Sequence, residues 1–266
     1  MIMRNIILIL LFVSMLSPKL RSQNKIEGKI NIDTIWRHIV YLSIITDFED
    51  MNTMSNEMII EKANIDPFGR FVINTEFLPE GDNLYRMHIA KKNDPPASLI
   101  IGGEDENHFF LIVNKNFSIQ IQDTSRSDFI KDAMVEGYAP NNMLHQIDGI
   151  ASFLDSTIFN GSYIKTELIR SAIYNKLRLI ADTCTNPLVS LYALYKSDFE
   201  KNYTINQQFY KDYLVKWEKE HSSYFVEFRK KIPFSSHLRT LFFVLSCTVF
   251  FFIGILVSIA FLKLSN

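Results

Sequence analysis

The stretch 241–262 (LFFVLSCTVFFFIGILVSIAFL) places the strongest constraint on this chain. It carries no charged residue across 22 positions and is bounded by Arg239 before it and Lys263 after it. As an α-helix it would be roughly 33 Å long, enough to cross a hydrocarbon core of about 30 Å. A helix of that length in a globular core normally keeps a polar stripe, and this one has none. It reads as a transmembrane helix, which leaves open on which side of the bilayer the rest of the chain lies.

The start of the chain bears on that question. Arg4 forms a short basic region, residues 6–16 are apolar, and Ser17-Pro18-Lys19 breaks the run. An apolar run of about eleven residues is short for a span and typical of a signal peptide. Cleavage after Ser22 fits its small side chain, although Leu20 makes the site imperfect; the alternative is an uncleaved amino-terminal anchor. Either way residues 24 to 235 are expected to be exported. Charge points the other way, because Arg229, Lys230, Lys231 and Arg239 precede the last helix and only Lys263 follows it. An export signal acting first overrides that bias, since long domains translocate largely regardless of charge. The same imbalance would arise if a cytoplasmic portion had been lost after Asn266. The expected order is a signal peptide (1–22), an exported β domain (23–137), an exported helical domain (138–231), a stem (232–240), the membrane helix (241–262) and a cytoplasmic tail (263–266).

Between the two apolar ends the periodicity changes once. Ile26, Gly28, Ile30 and Ile32 alternate with polar residues, as in a half-buried strand. Residues 38–45, 58–65, 70–74, 85–90, 98–101, 108–113 and 117–121 are further strands. Asp66-Pro67-Phe68-Gly69 suits a turn joining two of them as a pair, and Asn114-Lys115-Asn116 a hairpin between the last two. This pattern predicts an antiparallel β-sandwich or open barrel. After Gly137 the period becomes about 3.6. Met143, Ile147, Ala151, Leu154 and Ile158 share a helical face, as do Ile164, Leu168, Ala172, Ile173, Leu177 and Ile180 after a break at Gly161-Ser162. Asn186-Pro187 opens a third helix, and Phe209, Tyr213, Trp217, Tyr224, Phe225 and Phe228 mark a fourth. The fold class is α+β: an amino-terminal β domain, a helical domain and one carboxy-terminal transmembrane helix.

Several of these motifs carry a resemblance. Glu27-Gly28-Lys29-Ile30, Asp66-Pro67-Phe68-Gly69-Arg70-Phe71, and Val135-Glu136-Gly137 followed by Asn141, Asn142 and Leu144 resemble the N-terminal domain of unknown function in certain bacterial thiol:disulfide interchange (thioredoxin-like) proteins. Residues 185–192 (TNPLVSLY) resemble the linker of that family. The catalytic thioredoxin-like module with its cysteine pair is absent, and an apolar helix stands where it would begin. That layout is similar to single-pass bacterial regulators with an exported domain and a cytoplasmic helix-turn-helix domain, of which this chain carries no residue. The resemblance implies a bacterial inner-membrane protein, single pass, with its bulk periplasmic.

No residue is assigned to catalysis, to a cofactor or to a metal. Glu104-Asp105-Glu106 with His108 offers clustered oxygens, but an acidic turn beside Gly102-Gly103 explains it without a cation. The histidines lack zinc spacing. Cys184 and Cys247 form no redox pair, and Asp182, Thr183 and Thr185 give Cys184 no positive neighbour to activate it. The stripe from Phe209 to Phe228 reads as a packed face rather than a ligand groove. Gly254 and Ser258 form a small-x-x-x-small pair that would let two membrane helices approach and dimerise. Net charge is −1 with no large basic cluster, which argues against nucleic acid as a partner. The expected partners are the lipid bilayer, an exported ligand or protein of unknown identity, and a second copy through the membrane helix. Two functions follow: a sensory or binding module of a regulator shortened before its output domain, or a non-catalytic accessory to envelope thiol:disulfide exchange. Deleting residues 238–266 should release a soluble fragment whose circular dichroism shows both strand and helix; an insoluble fragment, or one without a strand signal, would contradict the exported two-part body.

Overall fold

The computed structural model describes residues 24–103, 105–122, 133–158 and 163–232. The expected signal peptide, Glu104, the break at Gly161-Ser162, the stretch 241–262 and its Gly254–Ser258 pair lie outside them. Among the described residues no helix is long and apolar enough to cross a membrane.

Eight strands form two four-stranded sheets. β1 (Lys25–Lys29), β4 (Arg70–Asn74), β7 (Ile119–Gln122) and β8 (Met134–Glu136) make one, in the order β4-β1-β7-β8. β2 (Trp36–Ile45), β3 (Ile59–Asn64), β5 (Asn83–Lys91) and β6 (His108–Val113) make the other, in the order β3-β2-β5-β6. The helices are α1 (Ala139–Ile158), α2 (Tyr163–Thr183), α3 (Pro187–Lys196), α4 (Phe199–Asn202), α5 (Gln207–Lys216) and α6 (Ser223–Lys231). The fold is therefore mixed α+β, with strands preceding helices. Alternation explains the sandwich: Ile26, Val40, Leu42, Phe71, Ile73, Tyr85, Met87, Leu111, Ile119 and Ile121 all point into one core between the sheets. A second core forms where Ile45, Leu84 and Ile112 meet Leu177, Leu191, Tyr192 and the α6 aromatics on the other face of the second sheet.

Three local expectations are corrected. The turn at Asp66–Gly69 exists, with the Asp66 carboxylate accepting from the Phe68 and Arg70 amides at 2.8 and 2.9 Å. The strands beside it nevertheless enter different sheets, because Gly69 is drawn against β1: its carbonyl accepts from Ile30 N at 3.0 Å. Gly69 has φ +80°, and a Cβ there would lie 2.3 Å from the Ile30 oxygen, so only glycine fits. Likewise β6 and β7 are not a hairpin. Asn114 caps the Asn116 amide at 2.9 Å and donates to Asp82, carrying the chain from one sheet to the other. β7 then runs parallel to β1, so the sandwich is not wholly antiparallel. Residues 98–101 form no strand, since the Asn107 side chain, at 2.7 Å from Ile100 N and 3.1 Å from the Ser98 carbonyl, takes their backbone groups instead.

The expected fourth helix is two. It breaks at Trp217, where the Glu220 amide turns back onto the Trp217 carbonyl at 3.0 Å. A seven-residue step from Trp217 to Tyr224 keeps the apolar residues in phase, so periodicity alone runs through the break. These aromatics are core: Tyr213, Tyr224, Phe225 and Phe228 are buried. The third helix starts as expected, with the Asn186 side chain accepting from Leu188 N and Val189 N. Arg229 and Lys231 belong to the folded body. Arg229 donates to the Glu220 carbonyl at 2.7 Å, and Lys231 pairs with Glu49 at 2.6 Å.

Asp82, in the turn before β5, joins the layers. Its carboxylate accepts from Asn114 Nδ2 (2.7 Å), Tyr138 Oη (2.8 Å) and Asn186 Nδ2 (2.9 Å), linking the end of β6, the start of α1 and the cap of α3. Asp82→Ala strands these three donors, and chemical denaturation should report a loss of about 2–4 kcal/mol in stability.

Candidate functional site

Strand β5 is buried from Leu84 to Ala90 without interruption. Tyr85, Met87 and Ile89 fill the sandwich, which leaves Arg86 and His88 on the opposite face, beneath the helical side. Their cross-strand neighbours there are Ser43 and Phe110 for Arg86, and Tyr41 and His108 for His88. The result is a buried polar row in the middle of an otherwise apolar sheet.

Arg86, His88 and His108 are held by backbone oxygens, a carboxylate and rings. Arg86 donates to the Met51 and Thr53 carbonyls at 2.6 and 3.0 Å, pinning the 3-10 turn Phe48–Asn52 over the sheet. Burial lowers its pKa to about 10, which still leaves it charged at neutral pH. His88 Nε2 lies 2.9 Å from the Pro96 carbonyl, and its ring stacks on Tyr41 at 5.2 Å. His108 Nε2 lies 3.5 Å from Glu106, and its ring sits edge-on to Phe110 at 5.5 Å. Burial, chiefly, with a smaller contribution from the Arg86 charge, pushes both histidines down to about 4. Both are neutral at pH 7, so His88 Nε2 carries the proton it gives to Pro96.

Over the β6 end of this row opens a cleft of about 430 Å³. His108 and Phe110 form its floor, Met51, Asn52 and Ile101 one rim, and Asp148 and Ser152 of α1 the other. Lys196, the last residue of α3, reaches in. Its ammonium is 2.9 Å from Asp148 and lies over the Tyr192 and Phe110 rings at 5.1 and 5.9 Å. Tyr192 Oη donates to Asp148 at 2.6 Å; burial above all, with the nearby Asp148 charge, raises its pKa far out of reach. A second groove of about 350 Å³ continues along β6, between Ala133 and Val135 on one side and Asn141, His145 and Gly149 of α1 on the other. Gly149 is exposed in mid-helix, and a Cβ there would meet nothing within 4 Å. Glycine at such a position costs about 1 kcal/mol relative to alanine, and the packing of the described residues does not ask for it.

Charged and aromatic groups thus line one continuous trough between a sheet and a helix. It can hold a ligand by hydrogen bonds, ion pairs and ring contacts. Among the described residues no group of three His, Cys, Asp or Glu side chains stands close enough to hold a metal. Of the acidic cluster read from sequence, Glu106 enters the cleft beside His108, whereas Asp105 does not line it. Cys184 is half-buried, with Sγ 3.6 Å from the Asn186 carbonyl and away from the cleft. Asp148, Lys196, Arg86 and His88 were not legible as site residues. The signal in sequence was only that Arg86 and His88 alternate with apolar residues, which reads equally well as a solvent-facing edge. The chain matches no protein-family model, and neither a curated protein nor a solved structure is significantly similar to it.

The buried histidines set an acid limit. Their folded pKa values lie below the ordinary value of about 6.5, so the unfolded chain binds protons first as pH falls. Stability should be full above about pH 6.5, decline down to about pH 4, and level off below. The loss should amount to at most about 3 kcal/mol per histidine, read from denaturant midpoints at a series of pH values, and His88→Asn should flatten part of that slope.

Proposed function

We propose that this chain is an exported, membrane-anchored binding module, tethered by residues 241–262, whose ligand occupies the trough between β6 and α1. The observation that carries the reading is the position of the cleft: one wall is sheet, the other is helix, and the rim at Met51 belongs to a turn that also touches α6, the last described helix. Within that turn Glu49 pairs with Lys231 at 2.6 Å, and just before it Asp47 lies 3.4 Å from the same ammonium. A ligand that moves the turn therefore acts on α6, only a short connection from the membrane stretch. Tyr224 ties α6 to the sheet as well: its hydroxyl accepts from Leu84 N at 3.0 Å and donates to the Ile45 carbonyl. Binding energy differing between two settings of this contact is what a single membrane helix needs to transmit occupancy. The resemblance to the exported domains of bacterial thiol:disulfide interchange proteins and single-pass regulators supports the same placement.

Protease added to intact spheroplasts should digest the body and leave a small membrane-protected fragment containing residues 241–262. Full protection of the body would overturn the export on which the reading depends.

A further inference from the structure

Among the described residues β6 is the edge strand of its sheet, and its outer side already carries one imitation strand. Ile112 N–H donates to Asn141 Oδ1 at 2.7 Å, and Asn141 Nδ2 donates to the Ile112 carbonyl at 2.9 Å. The Asn141 amide thus stands where the backbone of a neighbouring strand would be, in the two-bond pairing of an antiparallel ladder. Register fixes what comes next. Ile112 faces Leu84 and Phe110 faces Arg86, both at positions whose backbone groups point away from β5. Phe110 N–H and C=O therefore point into the trough, and no described residue takes them.

We infer that the trough binds an extended peptide segment, which adds to the sheet as an antiparallel strand beside β6, beginning next to Asn141 and running towards His108. This rests on the reading of the trough as the ligand site and names the ligand's class. Phe110 would exchange two hydrogen bonds with one peptide residue, the usual anchor of strand addition. That residue's side chain falls on the same face as Phe110. There it meets the Phe110 ring and the Asp148–Lys196 ion pair, so a polar side chain suits the position. Its neighbours point to the other face, towards Phe109, Ala133 and Val135, and suit apolar side chains. Gly149 supplies the independent sign. It gives up helix stability for space that the packing of the described residues leaves unused, and that space lies where the peptide backbone would pass α1.

The test uses the full-length chain in detergent and a fluorescent, end-blocked peptide, Thr-Val-Lys-Val-Thr, followed by anisotropy. The peptide should bind. N-methylation of its lysine nitrogen, which removes one donor and keeps every side chain, should weaken binding by about tenfold or more. Gly149→Leu should weaken binding by about tenfold while leaving the thermal midpoint unchanged or raised. Equal binding of the N-methylated peptide, or no binding up to about 1 mM, overturns the proposal, and the peptide arms do so without relying on any variant. If the peptide fails while external protease still digests the body, the strand is wrong and the anchored binding module stands. If the protease test fails instead, the export reading is lost whatever the peptide does.

Discussion

Strand β5 faces two cores at once, and most of the architecture follows from that double burial. Its odd positions, Tyr85, Met87 and Ile89, fill the space between the sheets, while Leu84 at its start packs under the helices. An antiparallel strand with one solvated face would need only half of this. Here the helical layer covers the second face, so sheet and helices share a core and the strands of β2, β5 and β6 become a central layer. Asp82 reinforces the arrangement from one end, gathering side chains from β6, α1 and α3 onto a single carboxylate.

Double burial has a cost at Arg86 and His88, which sit where apolar residues would pack more simply. The structure offsets it with backbone carbonyls: Met51 and Thr53 for the arginine, Pro96 for the histidine. These contacts hold down two irregular segments, the turn before residue 53 and the loop 95–100, on the covered face of the sheet. The polar row is thus a clamp for loops. The same clamp shapes the cleft, because the turn it holds provides the Met51 rim.

The cleft lies where the helical layer stops short of covering β6. Lys196 reaches it from α3, Asp148 and Ser152 from α1, and Phe110 from the sheet, so three separate elements must pack before the site exists. Its neighbour across the turn is Lys231, at the end of the last described helix.

Sequence by itself fixed what depends on neighbours along the chain. The change from period two to period 3.6 after Gly137, the Asp66–Gly69 turn and the Asn186 cap are local, set by backbone freedom and short hydrogen bonds. The reading of residues 241–262 as a membrane helix rests on length and the absence of charge alone, and the stretch lies outside the described residues. Partners distant in sequence were decided only by tertiary structure. Whether two strands joined by a turn share a sheet depends on β1 and Asp82, not on the turn. Whether Arg86 faces water or lies beneath α-helices depends on what the second half of the chain covers. Asp148 and Lys196 meet because α1 and α3 pack on the same sheet face, and no local pattern encodes a contact made across 48 residues of chain by the shape of a shared core.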